Sequence, residues 1–309
     1  MIPPQPPTPL ATRWKDILLP DVKWDALDVV VAATVTILLI IAILSLGGSF
    51  GADAGFNTTV ATPTGYYIGI ISAILAIVLT LLFHSPLWPI VFALGAGVGV
   101  TVASYQFGSD TGDGSAIFAG VPVGIISATA MSGAFAATGF SFSVIRFREP
   151  ISVLGFVKTK GIKPYIFAVG MWVIGLSILL FWVQALVWFG IDSLVPPDTA
   201  QKALDEAGDS IIVTIVLVGI LGPIAEEIFF RGYVLPGLVK RFGIVWALLL
   251  SSLMFGMFHI DPGAIVPTFA LGLALGWVYL KTGSIWPAMF AHGLHNTVAV
   301  LIAKYATAS

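Results

Sequence analysis

The chain has no cysteine and little charge. Cysteine is absent from all 309 residues, and only 10% of them are Asp, Glu, Lys or Arg. The absence of cysteine excludes disulfides, thiol catalysis and thiolate metal sites. Soluble domains carry about 25% charged residues, so the low value argues against an ordinary soluble fold. The net charge of −2 offers no basic surface, so nucleic-acid binding is not expected.

Apolar residues dominate instead and make up 58% of the chain. Long apolar runs recur, and each has the length that a helix needs to cross a bilayer. The sequence predicts an all-α fold, a polytopic transmembrane helix bundle of about 8–9 spanning helices. The predicted segments are 27–47, 66–84, 87–104, 116–142, 165–190, 210–236, 243–259, 264–281 and 285–304.

Three regions are expected along the chain. Residues 1–26 form a Pro-rich cytoplasmic N-terminal arm. Residues 27–190 hold transmembrane helices without an assigned motif, and residues 208–304 form a transmembrane core that carries the polar motifs. The first apolar run is too long for the apolar part of a signal peptide, so no cleaved signal peptide is expected.

The orientation follows from the positions of Lys and Arg. Segment 143–164 carries five of these residues, and shorter basic connections occur at 237–242 and 281–284. Because basic residues near the membrane stay in the cytoplasm, these segments and the N-terminus are predicted to be cytoplasmic. The expected location is the plasma membrane of a prokaryote, as a multi-pass integral membrane protein in contact with the lipid bilayer.

Three charges interrupt the apolar stretch 221-LGPIAEEIFFRGYVLP-236. A charge at the bilayer centre costs about 2.5–3.5 kcal/mol, so these side chains require partners or a polar interior. Glu227 and Arg231 are four residues apart on one helix face and are predicted to form a structural pair.

Glu226 lies about 100° around the helix from Glu227 and is left for partners on other helices. Its face includes Gly219, Gly222 and Tyr233. Small residues on this face allow another helix to approach closely.

Candidate partners occur in the last 51 residues, which contain three of the four histidines. His259 shares a helix face with Phe255, four residues earlier. His292 shares a face with Asn296, four residues later, and with His295. A single intramembrane histidine is often only a hydrogen-bonding group between helices. Three polar patches on three helices favour a functional site.

The depths of these side chains are compatible with one site. At 1.5 Å per residue, Glu226 lies roughly 21 Å and His259 roughly 24 Å from the cytoplasmic surface. On the same basis, His292 and Asn296 lie roughly 14 and 20 Å from that surface.

A carboxylate, two imidazoles and an amide are suited to hydrolysis by activated water. A partly buried glutamate can act as a general base, and His and Asn donors can stabilise an oxyanion. The same Glu and His side chains are also potential zinc ligands. The zinc-protease motif H-E-x-x-H and the serine-hydrolase motif G-x-S-x-G do not occur.

The motifs Glu226-Glu227-x-x-x-Arg231, Phe255-x-x-x-His259 and His292-x-x-x-Asn296 occur in this order. The segment that carries them, roughly 208–304, resembles the CAAX protease and bacteriocin-processing family of intramembrane glutamate endopeptidases, which includes the CAAX prenyl endopeptidases.

The resemblance implies that residues 208–304 are a catalytic core that needs no cofactor or metal. In this family the first glutamate activates the water, which corresponds to Glu226. His259 is expected to position that water, and His292 and Asn296 to form the oxyanion site. The expected structural or supporting residues are Glu227, Arg231, Phe255 and His295.

The expected function is endopeptidase cleavage of a peptide or membrane-associated protein, of which a CAAX-type substrate is one example. Two alternatives stay open at this point. One is a non-enzymatic membrane protein, such as an immunity factor or scaffold, that keeps the motifs as structure. The other is a zinc-dependent membrane hydrolase that uses Glu226, His259 and His292.

Overall fold

The computed structural model describes residues 17–48, 109–110, 116–118, 121–207, 210–259 and 261–306. Within these ranges, four helical stretches are long and apolar enough to cross a membrane: Lys163–Phe189, Ile211–Met257, Pro262–Thr282 and Ile285–Tyr305. The chain is therefore a predominantly helical integral membrane protein. The predicted count of 8–9 spans is not confirmed, and segments 66–84 and 87–104 lie outside the described residues.

The α-helices agree with most of the predicted segments. They are α1 Ala26–Gly48, α2 Val123–Phe140, α3 Lys163–Phe189, α4 Thr199–Glu206, α5 Ile211–Thr214, α6 Gly222–Glu227, α7 Leu235–Met257, α8 Pro262–Thr282 and α9 Ile285–Ala306. The helical course continues through π-helical turns at Ser141–Ile145, Ile215–Leu221 and Ile228–Val234. Two 3₁₀ turns cover Ile151–Leu154 and Asp192–Leu194.

A small antiparallel sheet departs from the all-α prediction. Its strands are β1 Ser109–Asp110, β2 Ala116–Phe118 and β3 Val121–Pro122, in that order. The helix predicted over 116–142 therefore begins only at Val123. Turn-forming residues explain the difference, because Gly and Asp residues precede the run and Gly120 interrupts it.

The predicted segments 210–236 and 243–259 form one helical stretch of 47 residues, from Ile211 to Met257. This length exceeds the roughly 20 residues that one crossing needs. The stretch is broken at Gly243, where φ is 72° and ψ is 171°. Glycine adopts this backbone conformation without the steric cost that a Cβ atom imposes.

The chain divides into two compact units whose segments alternate along the sequence. The first unit comprises Met1–Ala26, Ile151–Pro196 and Phe230–Ala291, and the second comprises Leu27–Pro150, Pro197–Phe229 and His292–Ser309.

In the first unit, glycines allow α7 and α8 to pack closely. A Cβ atom on Gly256 would lie 2.8 Å from the carbonyl oxygen of Ile265, and one on Gly272 would lie 3.0 Å from Cβ of Ser252. Both approaches are too close for a larger side chain to fit without movement. The α7–α8 contact therefore depends on small residues, as is usual between membrane helices.

The N-terminal arm also packs within the first unit. Trp24 is fully buried and stacks on Tyr233, with 5.2 Å between the ring centroids. Its indole N–H donates to the carbonyl oxygen of Tyr233 at 2.8 Å. The backbone amide of Leu18 also donates to the carbonyl oxygen of Leu280, in α8, at 2.9 Å. The described part of the arm is therefore fixed to the helices.

In the second unit, part of the core lies between α4 and α9. Leu204 of α4 packs with Val300 and Ala303 of α9. The helix α4 lies in the acidic segment 191–210 between two long apolar segments. It begins at an N-cap in which the Asp198 side chain accepts the backbone N–H of Gln201 at 2.9 Å. This cap satisfies an N–H group that the first turn leaves without a helical partner.

The glutamate-bearing helix α6 packs against α2 in the same unit. A Cβ atom on Gly139 would lie 3.1 Å from the Ile228 side chain, so the two helices are in close contact. The rings of Phe135 and Phe229 lie 5.5 Å apart. These contacts hold one side of the segment that begins with Glu226 and Glu227.

Candidate active site

One imidazole lies between both glutamates of the sequence motif. Nδ1 of His292 lies 2.9 Å from Oε1 of Glu227, and Nε2 of His292 lies 3.8 Å from Oε2 of Glu226. The first distance is a hydrogen bond, whereas the second is longer than one. His292 on α9 thus joins two adjacent carboxylates at the end of α6.

The two carboxylates differ in their surroundings. The side chain of Glu227 is 0% exposed and that of His292 is 3% exposed. The side chain of Glu226 is 23% exposed, although its Oε2 atom is buried and has no hydrogen-bond partner among the described residues. A buried carboxylate oxygen without a donor is costly, so this atom is placed to receive a proton or a hydrogen bond.

Asn296 lies one helical turn after His292. Its amide nitrogen donates to the carbonyl oxygen of Val218 at 2.8 Å. A side-chain amide nitrogen has two N–H groups, and this bond engages one of them. The second N–H group can serve as a donor to another oxygen. The carbonyl of Val218 therefore fixes the position of the Asn296 side chain.

Pro223 explains why the carbonyl of Val218 can accept a hydrogen bond from the Asn296 side chain. Val218 lies in the π-helical turn Ile215–Leu221, where a carbonyl bonds the N–H five residues later. The residue five positions after Val218 is Pro223, which has no N–H group. The missing backbone donor is replaced by the Asn296 side chain.

Glycines bring the backbones of this turn and α9 together. A Cβ atom on Gly219 would lie 2.6 Å from Oγ1 of Thr297, and one on Gly293 would lie 2.7 Å from the carbonyl oxygen of Gly219. The expected close approach at Gly219 is therefore confirmed. It allows His292 and Asn296 to reach the glutamate-bearing segment.

In the first unit, the ring of Phe255 contacts two of the predicted residues, Arg231 and His259. The guanidinium carbon of Arg231 lies 4.5 Å from the centroid of the Phe255 ring, and Arg231 Nη2 donates to the carbonyl oxygen of Gly272 at 3.2 Å. The His259 ring lies edge-on to Phe255 at 5.0 Å, and its Nδ1 lies 2.9 Å from the Phe255 carbonyl oxygen. The contact of Nδ1 with this carbonyl orients the His259 ring.

The structure thus brings four predicted residues together in the second unit: Glu226, Glu227, His292 and Asn296. Arg231, Phe255 and His259 are gathered in the first unit. The convergence of His259 with Glu226 and the pairing of Glu227 with Arg231 remain predictions. His295 is partly buried on α9, and its supporting role also remains a prediction.

Sequence reasoning missed three contributors: Pro223, Val218 and Thr297. A proline directly after Gly222 inside an apolar run was the available signal, because it leaves a carbonyl one turn earlier without a backbone donor. The partner of that carbonyl was not readable from the sequence, because the contact joins residues that are 78 positions apart.

No metal-ligand group occurs in the described part of the chain. No three His, Asp or Glu side chains there are placed to hold one metal ion together.

Comparisons with known proteins give matches to the segment that carries the candidate site residues. Residues 208–298 match the model of the family described as type II CAAX prenyl endopeptidase Rce1-like. A protein of Bacillus subtilis (strain 168) named "Putative membrane peptidase YdiL" is 32% identical over 105 residues, which are 34% of this chain and 43% of the relative. The chain thus spans less than half the length of this curated relative. No solved structure matches. The resemblance to the CAAX protease and bacteriocin-processing family is confirmed, and it is carried by residues 208–298.

Proposed function

We propose that the protein is an intramembrane endopeptidase that hydrolyses peptide bonds with water activated by Glu226. The observation that carries the proposal is the group formed by Glu226, Glu227, His292 and Asn296 within a membrane helix stretch. The match of this segment to a prenyl endopeptidase family supports the same reaction class. The relative from Bacillus subtilis is also named as a peptidase.

Glu226 is the proposed general base. Its carboxylate takes a proton from water while the water oxygen bonds to the carbonyl carbon of the substrate. The carbonyl oxygen then carries negative charge. When the C–N bond breaks, Glu226 returns the proton to the leaving nitrogen, so the step needs no other reactant. Glu226 is suited to this role because its side chain is 23% exposed, whereas that of Glu227 is 0% exposed and less accessible to water.

His292 and Asn296 are the proposed oxyanion donors. Nε2 of His292 lies on the side of the ring that faces Glu226, and the carbonyl of Val218 holds the Asn296 amide. Donors fixed before the reaction stabilise the developing charge at little cost in reorganisation. His259 is proposed to help position the water, with its Nδ1 held by the carbonyl of Phe255.

The proposed substrate is a peptide or a membrane-associated protein segment that enters the site from the bilayer. A CAAX-type C-terminus is the substrate class that the family description names. The proposed setting is a prokaryotic plasma membrane with the N-terminus in the cytoplasm. No cofactor is required, because both proton transfer and charge stabilisation come from side chains of this chain.

The test compares three forms of the protein in cells and after purification. Mass spectrometry of membrane peptides identifies products that appear with the native protein and disappear with Glu226→Gln. A synthetic peptide that spans the identified cleavage site is then assayed with purified protein. Removal of the general base is expected to lower kcat on the order of 10²–10⁴-fold.

Asp205→Asn is the matched control, because it also removes one carboxylate but lies on the exposed face of α4. It is expected to retain native turnover. Undiminished cleavage by Glu226→Gln would refute the proposal. A non-enzymatic immunity or scaffold protein would instead keep its biological effect in the Glu226→Gln form and give no product peptides.

A further inference from the structure

Leu204 is completely buried, although it belongs to a helix of only eight residues, α4. Isolated helices shorter than about 12–15 residues are marginal in water, so α4 depends on its packing for its position. The segment that the family model matches begins at residue 208, so α4 lies before it. The proposed reaction gives neither Leu204 nor α4 a task.

Leu204 joins α4 to the face of α9 that carries Asn296. It forms a buried cluster with Val300 and Ala303 of α9, and Val218 packs against this cluster. Val300 and Ala303 follow Asn296 by four and seven residues, so the three side chains share one face of α9. The cluster therefore lies one turn beyond Asn296 along α9.

Val218 takes part in both the cluster and the candidate site. Its side chain packs against the cluster, and its carbonyl oxygen accepts an amide N–H of Asn296 at 2.8 Å. One turn before Asn296, a Cβ atom on Gly293 would lie 2.7 Å from the carbonyl oxygen of Gly219. The bond between Asn296 and Val218 is thus flanked by a tight backbone contact on one side and by the Leu204 cluster on the other.

Loss of the Leu204 side chain would loosen only one of these two flanks. A leucine replaced by alanine leaves a cavity that the neighbouring groups fill only in part. The backbones at Gly219 and Gly293 are already in contact, so the adjustment falls on the cluster side. A hydrogen bond weakens steeply as its angle departs from linearity, and the bond from Asn296 to Val218 lies next to the part that moves.

We infer that Leu204 is a positioning residue that packs Val218 against α9 and thereby holds the Asn296 amide in place for the oxyanion. This inference rests on the proposed endopeptidase function and deepens it, because it adds a helix outside the family-matched segment to the support of the site. The Leu204 side chain has no polar atom and acts only through Val218 and Asn296. All three residues lie in the second unit.

The first measurement needs no substrate. Asn296 is one of two asparagines in the chain, so labelling with ¹⁵N-asparagine gives NMR signals from only two side-chain amides. The Asn296 signals are those that disappear in Asn296→Ala. In the native protein, the N–H group bonded to Val218 is expected to exchange slowly with solvent. In Leu204→Ala, this exchange is expected to be at least about tenfold faster.

Leu301→Ala is the matched control, because it truncates the same kind of side chain on α9 at a position that is 38% exposed. It is expected to leave both the Asn296 exchange rate and kcat at their native values. If Leu204→Ala does not fold, Leu204→Val takes its place. The smaller truncation is expected to change both quantities in the same direction by a smaller factor.

The second measurement is turnover of the peptide identified for the native enzyme. Leu204→Ala is expected to lower kcat per folded molecule about tenfold, because a catalytic group displaced by about 1 Å can lose on the order of 10²-fold in rate. KM is expected to stay within about twofold of the native value. In the Asn296→Ala background, Leu204→Ala is expected to change kcat by less than about twofold, because the side chain that it positions is already absent.

The outcomes separate this inference from the proposed function. Native exchange of the Asn296 amide in a folded Leu204 variant would overturn the inference. So would native kcat per folded molecule in that variant when Glu226→Gln is inactive, or an equal loss of kcat with and without Asn296, which is the result of a purely structural role. If Glu226→Gln cleaves the peptide at the native rate, the endopeptidase proposal fails, and the amide exchange still decides whether Leu204 holds Asn296.

Discussion

Replacement of Gly219 by alanine is expected to displace the helix that carries Asn296. A Cβ atom at this position would lie 2.6 Å from Oγ1 of Thr297, about 0.8 Å closer than the 3.4 Å at which ordinary contact begins. Threonine in a helix is restricted to two χ1 rotamers, so the Thr297 hydroxyl has little freedom to move aside. The remaining solution is a shift of α9 away from the π-helical turn.

The size of the effect follows from this overlap. Overpacking of a tight contact costs about 1–3 kcal/mol of folding free energy. Displacement of a catalytic group by about 1 Å can lower the rate on the order of 10²-fold. Asn296 directly precedes Thr297, and its bond to Val218 spans the same contact. Gly219→Ala is therefore expected to lower kcat about 10- to 100-fold as well as stability.

The assay pairs this variant with Gly133→Ala. Gly133 also lies in a helix of the second unit, but a Cβ atom there meets nothing within 4 Å. Both substitutions gain the same helix propensity, about 1 kcal/mol, so their difference isolates the contact with Thr297. Thermal unfolding in detergent and kcat on the cleaved peptide are measured for both. Gly133→Ala is expected to equal or exceed the native protein in stability.

The double variant Gly219→Ala with Thr297→Ala removes the obstructing hydroxyl. The closest remaining Thr297 atom is Cβ at 3.7 Å, which is ordinary contact, so stability and kcat are expected to recover. The reasoning is refuted if Gly219→Ala behaves like Gly133→Ala, or if the Thr297 substitution restores neither stability nor rate. Either result would mean that the contact between Gly219 and Thr297 does not determine the position of α9.

Three further outcomes are expected. Trp24→Phe, which keeps the stack on Tyr233 but loses the 2.8 Å bond to its carbonyl, should cost about 1 kcal/mol in a thermal or denaturant unfolding experiment. Gly155→Ala should lower Tm clearly more than Gly161→Ala. Both glycines have positive φ, but only at Gly155 would a Cβ atom lie 2.9 Å from Oη of Tyr279. Treatment with a chelator, checked by metal analysis of the treated protein, should leave cleavage of the peptide at its native rate, because the proposed reaction uses only side chains.

The helices were predictable because their signal is local. An apolar run about 20 residues long has few alternatives in a membrane protein, and the predicted segments 165–190, 264–281 and 285–304 each match a described helix closely. The break at Gly243 also falls at the predicted start of a segment. The short strands before Val123 were missed because strands of two or three residues carry almost no periodicity.

The contacts of the site were less predictable because they join distant parts of the chain. Helical spacing placed Glu226 and Glu227 on different faces and predicted Arg231 as the partner of Glu227, a pairing that remains a prediction. The described contact of Glu227 is with His292, 65 residues away.

The two adjacent glutamates of this membrane helix have different surroundings. Glu227 is completely buried and bonded to His292, whereas Glu226 is 23% exposed and its buried Oε2 atom accepts no hydrogen bond from the described residues. Of the two carboxylates, only that of Glu226 is therefore partly open to water, as the proposed general base requires. The same change, glutamate to glutamine, should therefore have two distinct effects. At Glu226 it removes the proposed base and leaves the contact between Glu227 and His292, and at Glu227 it removes the carboxylate that contacts His292 and leaves the proposed base.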